Sequence, residues 1–529
     1  MNEPNGKHEN LNENPNENPN ENHDDNIAAP ALPDAEGAIG PEYSEWAREP
    51  LFDIESLPDF KVSGCFSSHM VLQRRVPCAV FGFSRHAGLR VKGVWYGRYK
   101  ETAETEVGYN GCFRLEFSPR EAEREPSVMI ISSSYGSYIF SDILVGDIWM
   151  IGGQSNAEYH LESCINYTPE LLGEMSEEDN FRLFHQSQAA AFEFRENCAK
   201  PSRDIIVPTW SWKRPGRSAS LGFSAMGYYF AKELTRYTDV PLGLVMICAG
   251  GACIRELMPY DLSVERGYTV GANMPVGGYY NTLISPFASF PFRGQLFFQG
   301  ESEGIWKEMA WSYDSDLAAF VEDERTTFGV DFPFYNVQLS SYRDEGRQYF
   351  PFLHIVRARQ FDAVSEIRRS YIAVAMDLGS LPSDSDFAHS PHKAELGRRL
   401  AMQVYAHEYG GDRKMPDPAE YESPAPVLLT ETEGGYEIIF KNIGEGLKTR
   451  LGDEPAGFGF VPEGEEEQHS VKAEIVAPDT VFVSIGEAAK DLKISYVSYA
   501  FTHPGYPENA NIVNSFGLPL PAFILKADQ

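Results

Sequence analysis

The feature that most constrains this chain is a rhythm in its middle. Between residues 146 and 412, apolar runs of strand length alternate with longer stretches of helical period. The runs are Ile148–Ile151, Leu242–Cys248, Gln295–Phe298, Phe334–Leu339 and Tyr371–Met376; the helical stretches, with apolar residues three or four apart, are Ala225–Tyr237, Leu317–Thr327 and Lys393–His407. Strands that are apolar throughout need both faces covered, and intervening helices supply that cover. The pattern therefore predicts an α/β unit with a parallel sheet.

On either side the rhythm changes. Cys78–Phe83, Leu89–Tyr96, Cys112–Phe117 and Ser127–Ser132 are short β-type runs between Gly, Pro and charged turns, which predicts an antiparallel β-domain over 43–145. Similar runs return at Tyr436–Phe440 and Val481–Ile485, giving a β-segment over 413–529 that either packs with the first or stands apart from it. Residues 1–42 carry repeated Asn-Glu-Asn-Pro units and almost no large apolar side chain, so they are expected to form a disordered tail. The tail lacks the basic start and apolar core of a signal peptide, and no later stretch approaches the roughly 20 apolar residues of a membrane helix.

Charge narrows the partners. With 45 Lys and Arg against 77 Asp and Glu, the formal net charge is -32, which disfavours nucleic acid and anionic membranes. It also mildly disfavours a free anionic substrate, unless a local cation such as Arg255 overrides the field. Seven cysteines, at 65, 78, 112, 164, 198, 248 and 253, include no CxxC pair and cannot all pair internally. Reduced thiols and a cytoplasmic address are the expectation. With no HExxH and no Cys/His cluster at ligand spacing, no metal is expected.

The segment GGQSNAEYH at 152–160 follows the run Ile148–Ile151, which places Ser155 just beyond a strand's C-terminal end. That edge is where sites form in open α/β sheets. A serine hydroxyl is a weak nucleophile until a base takes its proton, so a His and an orienting acid are required. Asp386-Phe-Ala-His389 offers both: three residues apart in one turn, the carboxylate reaches Nδ1 and leaves Nε2 for the serine. Each motif alone also fits a helix-capping turn. His392 and His503 lack an Asp three positions earlier, and His392 is kept as a candidate substrate contact. The elbow of α/β-hydrolases, G-x-S-x-G, is excluded because Ala157 replaces its second glycine.

Acyl transfer also needs donors aimed at the oxyanion. Gly250-Gly251 follows the strand ending at Cys248, and Gln299 follows the strand ending at Phe298; an ordinary turn and a buried, satisfied amide are the alternatives. Gln154, Asn156 and Glu301 flank these positions as candidate substrate contacts. Trp306, Tyr279 and Tyr280 are candidate sugar-stacking faces, with core packing as the alternative.

Taken together, residues 60–525 resemble the bacterial sialate O-acetylesterases and related acetylxylan esterases among the SGNH hydrolases. The resemblance rests on Met70-Val-Leu-Gln73, Gly146-Asp-Ile-Trp149 leading to Gly153-Gln-Ser155-Asn, Ile247-Cys-Ala-Gly250-Gly251, Tyr280-Asn281, Phe298-Gln299-Gly300-Glu301-Ser302, Val337-Gln338-Leu339, Lys393 with Gly397 and Arg399, and Gly457-Phe458-Gly459-Phe460. It departs at Ala157, Ala252, Leu257 and Ser390, where the family usually carries Met, Thr, Trp and Pro. The resemblance implies a flavodoxin-like catalytic domain with accessory β-domains and no organic cofactor. It also implies Ser155 as nucleophile, Asp386 and His389 as acid and base, and Ser155 N–H, Gly250 or Gly251, and Gln299 as oxyanion donors. The expected reaction is removal of an O-acetyl group from a sugar through an acetyl-enzyme. Acetylated xylo-oligosaccharide is the alternative substrate, toward which the acidic charge leans, and a non-catalytic carbohydrate-binding protein is the alternative of another class.

Overall fold

The computed structural model describes residues 54–527 except 165–167, 194–199, 206–209, 289, 343–348, 381–383, 385, 387, 411–416, 466–467, 490–491 and 503–509. The expected tail at 1–42 and His503 lie outside the described residues.

Seven strands build the central part of the largest sheet: β1 (Gly136–Gly153), β2 (Phe181–Gln186), β3 (Trp210–Lys213), β4 (Leu242–Cys248), β5 (Gly294–Phe298), β6 (Phe334–Gln338) and β7 (Ser370–Val374). Their order is β3-β2-β4-β1-β5-β6-β7, parallel throughout except for β3, which closes one edge antiparallel to β2. Every residue of β4, β5 and β6 is buried, which is why their sequences are largely apolar, with Gln295, Asn336 and Gln338 as buried polar exceptions. The covering helices are α1 (Ala225–Leu234), α2 (Lys307–Phe328), α3 (Leu353–Glu366) and α4 (Lys393–Val404). α1 packs against α4 and α2 against α3. The first of these contacts depends on Gly397, where a Cβ would lie 2.7 Å from the Phe230 backbone nitrogen.

Two helices differ from the sequence expectation. α2 begins ten residues before Leu317, because Lys307–Asp316 is too rich in charge to show an apolar stripe. α3 was not foreseen at all. It buries His354, Arg357 and Gln360 alongside its apolar residues, so its inner face does not read as hydrophobic.

β1 is the frame of the molecule. Its first half pairs antiparallel with Glu123–Ser133 of the N-terminal β-unit, and its last residues pair with β4 and β5. Val71–Gln73 lies parallel to Leu144–Gly146 at the junction. There the buried Asp147 carboxylate accepts from Arg74 Nε at 2.9 Å and Nη2 at 2.8 Å, from Gln73 Nε2 at 2.9 Å and from Tyr409 Oη at 2.8 Å. Burial opposes the charge on Asp147, and these donors outweigh it, holding the carboxyl below its usual range.

The N-terminal unit shares one continuous core with the central sheet, from Val80 and Trp95 through Ile151 to Leu400. The strands after 425 form separate antiparallel sheets. Their core joins Ile438, Phe460, Val497 and Phe523 to Val374 and Met376, and includes no described residue of the N-terminal unit. Gln338, at the end of β6, fixes that attachment by exchanging two 2.9 Å hydrogen bonds with the Ala522 backbone. The six described cysteines are free thiols, and among the described residues no helix is long and apolar enough to cross a membrane.

Candidate active site

Register brings the chemistry together. Cys248 of β4 and Phe298 of β5 both pair with Gly153 at the end of β1, so the residues that follow all three strands converge on one edge. β1 leaves the sheet through Gly153 at φ 129°, where a Cβ would come within 2.1 Å of the Phe298 carbonyl oxygen. Only glycine suits that exit. Gln154 is then tied to the neighbouring strand: its N–H donates to Phe298 O at 3.0 Å, and its Oε1 accepts from Gly300 N at 3.1 Å. Gln154 thus anchors the turn from below, buried, in place of the expected substrate contact.

Ser155 opens a short helical turn, Ser155–Glu158. The first N–H groups of such a turn have no intrahelical partner, so the turn leaves the Ser155 N–H available as a donor. The turn is held from outside by Ser224, whose hydroxyl donates to Ala157 O at 2.6 Å while accepting from Gly227 N at 3.1 Å as the cap of α1.

The base arrives from the loop between β7 and α4. His389 Nδ1–H donates to Asp386 Oδ2 at 2.7 Å, which leaves Nε2 as the acceptor, 2.8 Å from Ser155 Oγ. Asp386 Oδ1 also accepts from the N–H groups of Ala388 at 2.9 Å and His389 at 3.1 Å. Burial works to raise the Asp386 carboxyl, but these N–H donors and the imidazole outweigh it and hold the group below its usual range. The tight DxxH turn is therefore an acid fixed by its own backbone.

Two supporting residues, Tyr159 and Lys393, were not singled out as site residues in the sequence. Tyr159 lies parallel to the His389 ring, centroids 5.6 Å apart. Asn156 Nδ2 donates to Glu301 Oε1 at 2.7 Å and to Ala388 O at 3.1 Å, while Lys393 Nζ donates to Asn156 Oδ1 at 2.6 Å. Lys393 is buried beneath Tyr159 and Phe298, its ammonium over both rings, and burial lowers its pKa to about 8. Burial likewise raises Glu301. Asn156 and Glu301 are thus members of a buried network under the histidine loop, and not the substrate contacts the sequence suggested.

Three further expectations change. Gln299 is fully buried; its amide nitrogen donates to Ala252 O at 3.0 Å and Glu303 Oε2 at 2.6 Å, and its Oε1 accepts from Tyr313 Oη at 2.8 Å. Both amide hydrogens are engaged, so the satisfied amide, not the oxyanion donor, is what the geometry gives. Tyr279 and Tyr280 are buried, Tyr280 with its hydroxyl 2.9 Å from Thr327 Oγ1, and neither offers a stacking face. His392 pairs with Asp384 at 3.6 Å and stands at the start of α4.

Gly250 and Gly251 lie immediately beyond the end of β4, with Gly251 at φ 72° and its carbonyl accepting from Ser302 Oγ at 2.9 Å. Gly251 and Ser302 open onto a cleft of about 700 Å³ with Arg255, Asn273 and Trp306. Trp306 is 38% exposed and the Arg255 guanidinium sits 5.2 Å from its ring centroid. Of the three aromatic candidates, Trp306 faces this cleft.

Comparison with known proteins agrees with this architecture. The chain is 28% identical to the sialate O-acetylesterase of Pongo abelii and 27% identical to that of Homo sapiens, in each case over 319 residues covering 54% of this chain and 57% of the relative. It thus spans little more than half the length of those proteins. The rat (Rattus norvegicus) sialate O-acetylesterase is 25% identical over 417 residues, 66% of this chain and 74% of its own. The crystal structure of a carbohydrate acetylesterase from Xanthomonas citri shares the fold, with a TM-score of 0.73 and 24% identity over 88% of this chain and all of its own. Residues 145–406, just under half of the chain, match the family described as carbohydrate esterase, sialic acid-specific acetylesterase.

Proposed function

We propose that this chain is a serine-dependent carbohydrate O-acetylesterase of the SGNH type, acting through an acetyl-enzyme. The observation that carries this reading is the continuous relay from Asp386 through His389 to Ser155, at 2.7 and 2.8 Å. Ser155 Oγ attacks the acetyl carbonyl carbon as its proton passes to His389 Nε2; Asp386 keeps the tautomer and stabilises the imidazolium. The N–H groups of Ser155 and of Gly250 or Gly251 face the oxygen that gains charge, and each such donor commonly contributes about 10²–10³ in rate. His389 then returns the proton to the departing sugar hydroxyl. Water, deprotonated by the same imidazole, releases acetate and restores the serine.

The cleft lined by Arg255 and Trp306 favours an O-acetylated sugar acid, because a guanidinium and an indole side by side suit a carboxylate on a sugar ring. That local cation counters the overall charge of -32, which on sequence grounds leaned toward neutral xylo-oligosaccharides.

Acetate release from 4-nitrophenyl acetate by the wild type and Ser155→Ala tests the chemistry. The variant should lose activity by at least about 10³-fold. Near-normal turnover in the variant would remove Ser155 from the mechanism, and a folded, inactive wild type that still binds sugar would turn the reading toward a non-catalytic carbohydrate-binding protein. Comparing acetate release from O-acetyl sialic acid and acetylated xylo-oligosaccharide then separates the two substrates.

A further inference from the structure

Just beyond the Ser155 turn, the chain brings together Glu158, His160 and His185. One ligand atom from each lies within 4.8 Å of the other two. Sequence spacing does not reveal this cluster, since two of the three belong to the turn after β1 and the third to β2, and the spacing fits no metal motif. Parallel pairing of β1 and β2 with β4 between them brings the two segments onto one edge.

Among the described residues, no Lys or Arg pairs with the Glu158 carboxyl and no donor is hydrogen-bonded to it, although it is only partly exposed. His160 Nε2 is buried without a hydrogen-bond partner. The His160 side chain retains 33% of its exposure, which leaves an approach from solvent.

We propose that Glu158, His160 and His185 form a binding site for a divalent cation of the zinc class. Two neutral imidazoles and one carboxylate are a recurrent zinc donor set, with a fourth position left to solvent. Ligand atoms at about 2.0–2.2 Å from zinc sit roughly 3.3–3.6 Å apart. Side-chain rotations of about an ångström draw the present triangle to that size. The cation supplies the positive charge that Glu158 lacks, and it ties the turn carrying Ser155 to β2. This inference does not rest on the esterase reading, because it concerns metal affinity alone.

The test uses the full chain, freed of metal by chelator and titrated with Co²⁺, followed by displacement with Zn²⁺. Wild type should develop visible d–d absorption that saturates at one equivalent and is lost on adding zinc. His160→Ala and Glu158→Gln, each verified as folded by circular dichroism, should lose at least about tenfold in cobalt affinity, in keeping with the loss of a ligand. Residues His8 and His23 are common to all three proteins and cancel. Absence of the saturable band in folded wild type overturns the proposal, as does undiminished binding in both variants, which would place the metal elsewhere.

Discussion

Asn156 Nδ2 donates to the Ala388 carbonyl at 3.1 Å, so the residue after the serine grips the residue before the histidine. The two halves of the relay, 234 positions apart in the chain, are thereby registered by one amide. Asn156→Ala should lower kcat by about 10–100-fold with little change in KM, because positioning is lost while the reacting groups remain. It should also destabilise the protein by about 1–3 kcal/mol, as Lys393 Nζ and Glu301 Oε1 each lose a buried partner. Equal kcat with a lowered melting temperature would reduce Asn156 to a structural residue.

Asp386→Asn should cost on the order of 10⁴ in kcat, since an amide permits the wrong imidazole tautomer. A stability signature accompanies it. The carboxyl's folded pKa lies below its ordinary value of 3.8, so its stabilising contribution is present above that value and is lost as pH falls through the folded one. The difference in melting temperature between wild type and variant should therefore shrink on acidification below about pH 4.

Gln299→Ala discriminates between its two readings. An oxyanion donor would lose about 10²–10³ in kcat in a protein of native stability. The observed contacts instead predict a destabilisation of about 2–4 kcal/mol, because Ala252 O, Glu303 and Tyr313 are left without their buried partner. Thermal melts beside turnover of the surviving folded fraction decide the matter.

Glu303, buried against Gln299 and the Ile254 N–H, has its pKa raised by burial from 4.5 to about 7. The native state then holds a proton that the unfolded chain releases, so stability falls as pH rises from 4.5 toward 7. Glu303→Gln should flatten that slope. Glu158 is raised to about 7 in both proteins, so the slope is reduced and not abolished. An unchanged profile would contradict the assignment.

Trp306→Ala should raise KM for an O-acetylated sugar about 2- to 10-fold while leaving 4-nitrophenyl acetate nearly unaffected, because the indole faces only the wider cleft. Equal effects on both substrates would place Trp306 against the acetyl group instead.

What could be read from the sequence follows a physical division. The parallel strands and the Ser155, Asp386 and His389 set were legible because burial on two faces leaves largely apolar runs, and because the serine's place after such a run is itself a structural statement. The network beneath them was not. Lys393, Asn156 and Glu301 are polar residues in the core, and sequence pattern alone assigns polar residues to surface or substrate. Gln299 stayed ambiguous for a related reason: a primary amide after a strand looks the same whether its hydrogens face a ligand or the Ala252 carbonyl. α3 escaped because Arg357, fully buried, donates to the Leu339 and Ser340 carbonyls where an apolar side chain was expected.

The shared strand β1 bears on how this chain can be dissected. Because the 18 residues of Gly136–Gly153 begin in the N-terminal sheet and end one position before Gln154, the boundary drawn near residue 145 cuts through a single hydrogen-bonded ribbon. A fragment starting there would lose the pairing of Val71–Gln73 and the Arg74 fork on Asp147, and would present a raw apolar edge. The N-terminal unit is not a cassette that can be exchanged between relatives to retune specificity. Chimeras should be joined on its far side, or between α4 and the strand that begins at Ala425, ahead of the C-terminal sheets with their own core.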